Sequence, residues 1–391
     1  MLIDFPHIIT TGFILVNAAS VLYVLLAIKS VHAFSLPKTT AGGFQPAVTI
    51  MKPVCGIDAD LYENLRSFCV QDYPGYQIVY GVRDRDDAAV TIIRRLIAEF
   101  PRLDMELIIN ENSLGSNLKV GNLDNMYAAA KHRYLVIADS DTRVERHYLS
   151  AVMAPFESPD VGVVTCLYRG TAAGGVASLL AGMFINESFL PSVLVSAAIR
   201  ELRFAMGATM AVRREMLDKI GGFGRLADNI ADDYLLGNLA GEHGYRVVLS
   251  GYVVENIIFE KSFPALLGHE LRWARTIRST EPVGHAFSVV MYIVPTALIA
   301  ALTLGLVTGR WLSAAAIIGL AIGLRALMHF AVHGMLGLKP RFWPLALGPA
   351  RDILSFAVWG ASFLSRRVDW RGTAFSIEKG GRMTMVERPE S

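Results

Sequence analysis

The stretch that decides the fold is Tyr134–Asp141, YLVIADSD. Five residues, Tyr134 to Ala138, suit the middle of a protein, and two carboxylates, Asp139 and Asp141, follow one residue apart. A buried strand that ends in two mutually repelling acids needs a reason, and the pattern on either side supplies one. Upstream, AVTIMKPV (Ala47–Val54), YQIVYGV (Tyr76–Val82) and MELIIN (Met105–Asn110) are continuous apolar runs. Between them lie the helical patterns DADLYENLRSFCVQ (Asp58–Gln71), AAVTIIRRLIAEF (Ala88–Phe100) and KVGNLDNMYAAAK (Lys119–Lys131). Strands apolar on both faces, alternating with helices, predict an α/β unit with a mostly parallel, Rossmann-like sheet covered on both sides.

Open α/β sheets bind ligands beyond the carboxyl ends of their strands. Asp139 and Asp141 are expected at one such end, and Asp84, Asp86 and Asp87 of GVRDRDDAA at another. Clustered carboxylates are stable there if a cation shares them, and Mg²⁺ or Mn²⁺ prefers oxygen ligands plus substrate phosphates. The competing reading makes these aspartates helix caps. Further on, Asp232 and Asp233 open an amphipathic helix, where acids favour the first turn anyway. In HELRWARTIR (His269–Arg278), Arg272, Arg275 and Arg278 recur every three residues beside Trp273. Such a stripe fits a diphosphate or an anionic lipid surface equally well.

The chain has 391 residues, a net charge of +2 and 53% hydrophobic residues. Its mean hydropathy of +0.40 is too high for an ordinary soluble enzyme. The apolar residues are concentrated at the ends: neither Phe5–Ile28 nor Ala286–Gly309 holds a charge, and Trp311–Leu364 is interrupted only by Arg325, Lys339, Arg341, Arg351 and Asp352. One bilayer span is expected near the N-terminus and two or three near the C-terminus. Val176–Ile199 is also apolar, but Glu187 would be costly in mid-bilayer, so a cleft wall dipping into the interface is expected there. The weakest candidate is Phe342–Leu364, broken by Pro344, Pro349, Arg351 and Asp352. It is expected not to cross fully, leaving the tail packed on the catalytic unit. Lys29, His32 and Lys38 follow the first span and only Asp4 precedes it, which places the central block in the cytosol. Three irregularly spaced cysteines fit a reducing compartment. The expected division is an anchor and linker at 1–44, a cytosolic unit at 45–282, a membrane part at 283–365 and a tail at 366–391. Nothing in the pattern calls for nucleic acid.

Seven motifs follow one another along the chain: KPVCGIDADLYENL (Lys52–Leu65), QDYPGYQIVYGVRDRDDAA (Gln71–Ala89), GSNLKVGNL (Gly115–Leu123), ADSD, ADDY (Ala231–Tyr234), the RW of Arg272 and Trp273, and the tail VDWRGTAFSIEKGGRM (Val368–Met383). In order and spacing they resemble the inverting glycosyltransferases of the GT-A fold, and more narrowly the ceramide glucosyltransferase family with its bacterial lipid and hopanoid glycosyltransferase relatives. The resemblance implies three aspartates, falling on Asp87 (with Asp84 beside it), Asp139 and Asp233, then a Q/R-x-x-R-W motif. His269 stands where that motif expects Gln or Arg, and Asp141 extends the second aspartate to a D-x-D pair.

The implied partners are a UDP-sugar donor, a membrane lipid acceptor and the bilayer. The implied roles are Asp139 and Asp141 for the divalent cation, Asp233 as general base with Asp232 as its rival, and Asp84 or Asp87 on the nucleotide. Lys119, His269, Arg272 and Trp273 would serve the nucleotide and diphosphate. Hopanoid and diacylglycerol acceptors are alternatives to ceramide. A processive polysaccharide synthase would keep Gln in place of His269 and carry more spans, and a non-catalytic membrane transporter or scaffold has no use for intact Asp139, Asp141, Asp233 and Arg272. An Ala- and Arg-rich composition fits a bacterial chain, whose bilayer would be the inner membrane.

Overall fold

The computed structural model describes residues 5–35, 43–370 and 373–386. Lys38 and Arg371, used above in the topology and tail motifs, lie outside them. Eleven strands form two sheets: β1 (Val48–Val54), β2 (Tyr76–Val82), β3 (Asp104–Ile109), β4 (Tyr134–Ile137), β5 (Thr142–Arg143), β6 (Val161–Ala172), β7 (Met210–Arg213), β8 (Arg246–Ile258), β9 (Arg367–Trp370), β10 (Thr373–Ile377) and β11 (Met383–Met385). The large sheet has the order β3-β2-β1-β4-β7-β6-β8-β5. Its first four strands are parallel, as the alternating pattern predicts. The other half is mixed: β7 runs antiparallel to both β4 and β6, while β6 and β8 are parallel. With the helices around it this is the α/β arrangement expected of a GT-A fold.

Fourteen α-helices among the described residues complete the chain. First comes α1 (Phe5–Ser35), packed on other helices; the sheet is flanked by α2 (Leu61–Cys69), α3 (Ala89–Glu99), α4 (Leu118–Tyr127), α5 (Tyr148–Met153), α6 (Val176–Phe184), α7 (Leu190–Ile199), α8 (Arg214–Lys219) and α9 (Asp232–Glu242). Then follow α10 (Phe263–Thr280), α11 (Pro282–Phe287), α12 (Ile293–Thr308), α13 (Trp311–Met335) and α14 (Phe342–Ser362). One core lies on the α2 and α3 face of the sheet, around Ile50, Phe68, Tyr80, Val136 and Tyr148. A second lies on the α4 and α9 face, around Met51, Leu123, Leu135, Val212 and Leu236. Adjacent residues of one strand, Ile50 and Met51, serve opposite cores, which is why the strands read as unbroken apolar runs.

A third core joins α1, α7, α12 and α13 to the sheet through Leu167 of β6. Among the described residues, three helical segments are long and apolar enough to cross a membrane: Phe5–Phe34, Val176–Ile199 and Trp311–Met335. A fourth would be α11 and α12 taken as one segment, bent by 70°. Residues α14 contributes are not among them. Leu15, Leu22, Leu306 and Leu312 leave apolar side chains exposed on α1, α12 and α13. In Val176–Ile199 the two helices are joined by a π-helical turn at Ile185–Phe189, and this turn brings Glu187 to buried partners, Arg325 at 2.6 Å and His329 at 2.8 Å.

The tail folds as the small sheet β11-β10-β9. Val368, Phe375, Ile377 and Met383 pack on Ile230. The amide of Ile230 donates to Gly381 O at 2.9 Å, and that of Met383 to Asp228 O at 2.8 Å. The tail therefore sits on the loop leading into α9 and lies on the same side of the membrane helices as the large sheet.

Close backbone packing sets the position of α9. A Cβ on Gly237 would stand 2.4 Å from Phe204 Cα and 2.7 Å from its carbonyl carbon. Main chain cannot give way as a flexible side chain can, so Gly237→Ala is expected to cost about 3 kcal/mol. A matching fall in the midpoint of chemical unfolding, with a greater fall in activity than Gly241→Ala gives, checks this.

Candidate active site

β4 ends at Ile137, and the chain then turns through Ala138–Asp141 above the sheet. Asp139 is held by its main chain: the buried Lys52 ammonium donates to Asp139 O at 2.5 Å and to Thr142 Oγ1 at 3.2 Å. Its carboxylate meets Lys119 Nζ at 2.6 Å. Lys119 stands in the first turn of α4 because Asn117 caps that helix, its side chain accepting from the amides of Lys119 and Val120. The same Asn117 donates to Asn229 O at 2.7 Å and to Asp232 Oδ1 at 3.3 Å. One asparagine thus ties α4 to the start of α9.

Asp232 lies 3.9 Å from Lys119 Nζ. Asp233 accepts from the amides of Gly207 (3.0 Å) and Tyr234 (2.8 Å). Gly207 completes the ring: a Cβ there would lie 3.2 Å from Asp139 Oδ2, 3.3 Å from Lys119 Nζ and 3.6 Å from Asp233 Oδ2. The structure therefore gathers Asp139, Lys119, Asp232 and Asp233 around one point, with Asp141 beside them. Asp58 joins from the loop after β1, accepting from Ser140 Oγ at 2.6 Å.

Burial dominates the electrostatics. It raises the Asp141 carboxyl to about 7, helped by the charges of Asp139 and Asp58. It raises Asp233 to about 6, with Asp232 adding to the effect and Lys119 opposing it. Asp232 is raised by burial too, against the pull of Lys119. Burial lowers Lys52 to about 7 although Asp139 and Asp141 favour its charge. For Lys119 the order reverses: burial works against the ammonium, but Asp139, Asp232 and Asp233 outweigh it and hold the lysine protonated. Five acids thus face two lysines. Asp141 Oδ1 is buried without a hydrogen-bond partner. An excess of negative charge and an orphaned carboxylate oxygen fit a divalent cation held by Asp139 and Asp141.

The other expected site residues form two further groups. Asp84 and Asp87 serve the local main chain: Asp84 accepts from the amide of Asp86, and Asp87 from those of Gly56 (2.7 Å) and Ala89 (2.8 Å). Asp87 thereby closes the loop after β1 onto the start of α3. His269, Arg272 and Trp273 lie on α10. His269 Nδ1 is 2.8 Å from Glu260 Oε1, and its ring meets Trp273 edge-on at 4.9 Å. Arg272 lies over the Trp370 ring at 5.9 Å. Arg275 donates to Arg367 O at 2.6 Å and Arg278 to Ser365 O at 2.7 Å. The arginine stripe thus fastens the tail, a use that spacing alone did not reveal.

A run of rings links the groups. Trp273 lies 6.1 Å from Phe189, and Phe189 5.1 Å from Tyr168. Burial, together with the charges of Asp233, Asp139 and Asp141, pushes the Tyr168 hydroxyl well up. Lys52, Asp58 and Asn117 lie inside the quoted motifs but were given no role there, and Tyr168 lies outside them. Lys52 carried a signal, a lone charge inside an apolar strand, whereas Tyr168 in β6 carried none.

Acids from the end of β4, the start of α9 and the loop after β1 thus meet beside a mixed α/β sheet, the arrangement that a glycosyltransferase of the GT-A fold would present. A family model described as Glycosyl transferase family 21 matches residues 12–383, and the chain belongs to that family. It is similar to Ceramide glucosyltransferase 3 of Caenorhabditis elegans, 23% identical over 349 residues, covering 86% of this chain and 74% of the relative. Ceramide glucosyltransferase 1 of the same organism is 21% identical over 385 residues, covering 97% and 82%. Beta-monoglucosyldiacylglycerol synthase of Synechocystis sp. is 25% identical over 305 residues, covering 71% and 61%. Among solved structures, the mannosyltransferase PcManGT from Pyrobaculum calidifontis, in complex with GDP-Man and Mn²⁺, superposes with a TM-score of 0.56 at 19% identity, covering 91% of this chain and 98% of that one. This likeness shows the shared fold.

A raised carboxyl is most stable neutral in the folded state, so its stabilising contribution is present at low pH and is lost as pH rises through the folded value. For Asp141 that loss sets in above the ordinary carboxyl value and is complete once pH passes about 7. With divalent cations chelated, Asp141→Asn should raise the melting temperature by a few degrees at pH 8 and by less at pH 5. Differential scanning fluorimetry at both pH values checks this.

Proposed function

We propose that this chain is an integral membrane, inverting glycosyltransferase that moves a sugar from a UDP-sugar to a lipid hydroxyl, with ceramide as the acceptor. The observation that carries this reading is the convergence of Asp139, Lys119, Asp232, Asp233 and Gly207 on one point. The family and its ceramide glucosyltransferase relatives supply the acceptor class.

Asp233 is the general base. Two main-chain amides hold its carboxylate in place, and its raised value suits a base that must accept a hydroxyl proton near neutral pH. Asp232 orients the site through Asn117 and Lys119. Asp139 and Asp141 would hold a divalent cation, Mg²⁺ or Mn²⁺, which when bound supplies Lewis-acid stabilisation of the leaving diphosphate. Lys119 adds positive charge on the same side. Arg272, fixed against Trp370, and His269, fixed against Glu260, steady the diphosphate from α10. Asp87 shapes the nucleotide pocket by fixing the loop after β1, and Asp84 shapes the adjoining turn. In-line attack on the anomeric carbon from the Asp233 side inverts it, giving a β-linked sugar from an α-linked donor. The ring run from Tyr168 to Trp273 borders the route by which a lipid hydroxyl reaches Asp233.

In the membrane, α1 crosses from outside to inside, and α12 and α13 form an antiparallel pair that leaves and returns. α14 then lies along α10 and α6, and the tail returns to the cytosolic face. The site would therefore stand at the cytosolic surface of a bacterial inner membrane. A diacylglycerol acceptor is the second reading, favoured by the similarity to the Synechocystis synthase.

Release of UDP from UDP-sugars, compared with ceramide, diacylglycerol or neither in mixed micelles, tests the proposal. Stimulation by ceramide alone is expected. No release with any lipid and any UDP-sugar would remove it. Asp233→Asn should lower kcat by about 10³-fold and leave UDP-sugar binding nearly unchanged. Loss in Asp232→Asn with an active Asp233→Asn would move the base by one residue. In the wild type, kcat should fall as pH drops through about 6, where Asp233 takes up its proton. For topology, a single cysteine near Lys379 in a Cys-free variant should resist an impermeant thiol reagent in intact cells and react after permeabilisation.

A further inference from the structure

The membrane helices carry a second cluster that the glycosyl-transfer site does not use. Glu187, in the π-helical turn Ile185–Phe189, meets two residues of α13: Arg325 takes one carboxylate oxygen at 2.6 Å, and His329 Nδ1 lies 2.8 Å from the other. Asp352 of α14 takes Arg325 Nε at 2.8 Å. All four side chains are buried. One turn along α13, His333 stacks against His329 with ring centroids 3.9 Å apart. Residues four apart share a helix face, so both imidazoles point the same way. A ligating atom from each of Glu187, His329 and His333 can be chosen so that all three lie within 4.8 Å of one another.

Three observations point to a ligand here. First, two carboxylates, Glu187 and Asp352, share one guanidinium in a dry setting, which leaves the second negative charge to be balanced by the His329 imidazole or by a bound cation; the neighbouring Arg351 and Glu270 pair with each other at 2.7 Å. Second, His329 Nε2 is buried without a hydrogen-bond partner, in a side chain only 1% exposed. Third, His333 Nδ1 lies 2.9 Å from the His329 carbonyl. As the donor in that bond it leaves the Nε2 lone pair available, the arrangement that fixes the tautomer of a metal-ligating histidine. Two imidazoles and one carboxylate are a borderline-soft donor set suited to zinc, unlike the oxygen-only acids at Asp139 and Asp141.

We propose that Glu187, His329 and His333 form a divalent metal site of the zinc class. It clamps the Val176–Ile199 segment to α13. The ion balances the excess charge and satisfies the orphaned imidazole. Because Phe189 of the same turn packs on Tyr168, the clamp also fixes the wall beside the carboxylates. This site rests on its own residues and does not depend on the assignment of the acceptor or of the base.

The test is the zinc content of the full-length protein, purified in detergent without a histidine tag, soaked in zinc sulfate and desalted. Mass spectrometric metal analysis should find about one zinc per chain. His333→Gln, which keeps a polar side chain on the helix, and His329→Ala should each lose it. Asp139→Asn and Asp141→Asn should retain it while losing sugar transfer, so failure at one site is separable from failure at the other. Replacement by Co²⁺ should give visible ligand-field bands in the wild type and none in His333→Gln. Zinc should raise the melting temperature of the wild type and leave that of His333→Gln unchanged, which also covers the case in which His329→Ala does not fold. A wild type that emerges metal-free, or a His333→Gln variant that binds as much zinc as the wild type, would overturn the site.

Discussion

The structure turns on the crowding of negative charge at the end of β4. Asp139, Asp141, Asp232, Asp233 and Asp58 are gathered in one crevice beside Lys119 and Lys52, and burial raises the carboxyls of Asp141, Asp232 and Asp233. Bringing like charges together out of water is unfavourable unless opposite charge and hydrogen bonds surround them. Much of the local architecture is that compensation. Lys119 is placed by the Asn117 cap, Lys52 runs up from β1 to the Asp139 carbonyl, and Gly207 lets a main-chain amide reach Asp233. The remaining excess charge is what a cation-bound diphosphate would neutralise.

The same logic recurs among the candidate membrane helices at a different scale. Glu187 is affordable within an apolar segment because a π-helical turn aims it at Arg325 and His329. Such turns recur at functional positions because they redirect a side chain without ending the helix. The segment is therefore held from two sides, by buried polar partners on α13 and α14 and by rings that reach Tyr168 and Trp273. A wall that must border a lipid substrate gains its rigidity from polar contacts, since apolar packing alone gives little directional preference next to lipid.

The tail has a comparable role. Arg275 and Arg278 bind main-chain carbonyls at Arg367 and Ser365, and the small sheet packs on Ile230, two residues before Asp232. The chain's last strands thus buttress the loop that delivers the proposed base. A stripe of arginines near a membrane span reads naturally as a lipid or phosphate surface. Here two of its three members serve an intramolecular dock, since a guanidinium satisfies carbonyl acceptors as readily as phosphate oxygens.

Local pattern alone determined the parallel half of the sheet, the helices between its strands and the location of Asp139 and Asp141 at a strand end. Those features follow from which residues must be buried on both faces of a strand, and that requirement is written in consecutive residues. The helices Phe5–Phe34 and Trp311–Met335, long and apolar enough to cross a membrane, were legible too, because an uninterrupted apolar run is also written in consecutive residues. Only the tertiary structure decided the antiparallel insertion of β7, the use of Asp84 and Asp87 as main-chain acceptors, the meeting of Lys119 with acids more than a hundred residues away, and the partners of Glu187. Each of these depends on desolvation and on hydrogen-bond geometry between segments distant in the chain. A carboxylate looks the same in sequence whether it will cap a turn, pair with a buried arginine or take a proton, and its surroundings choose among them.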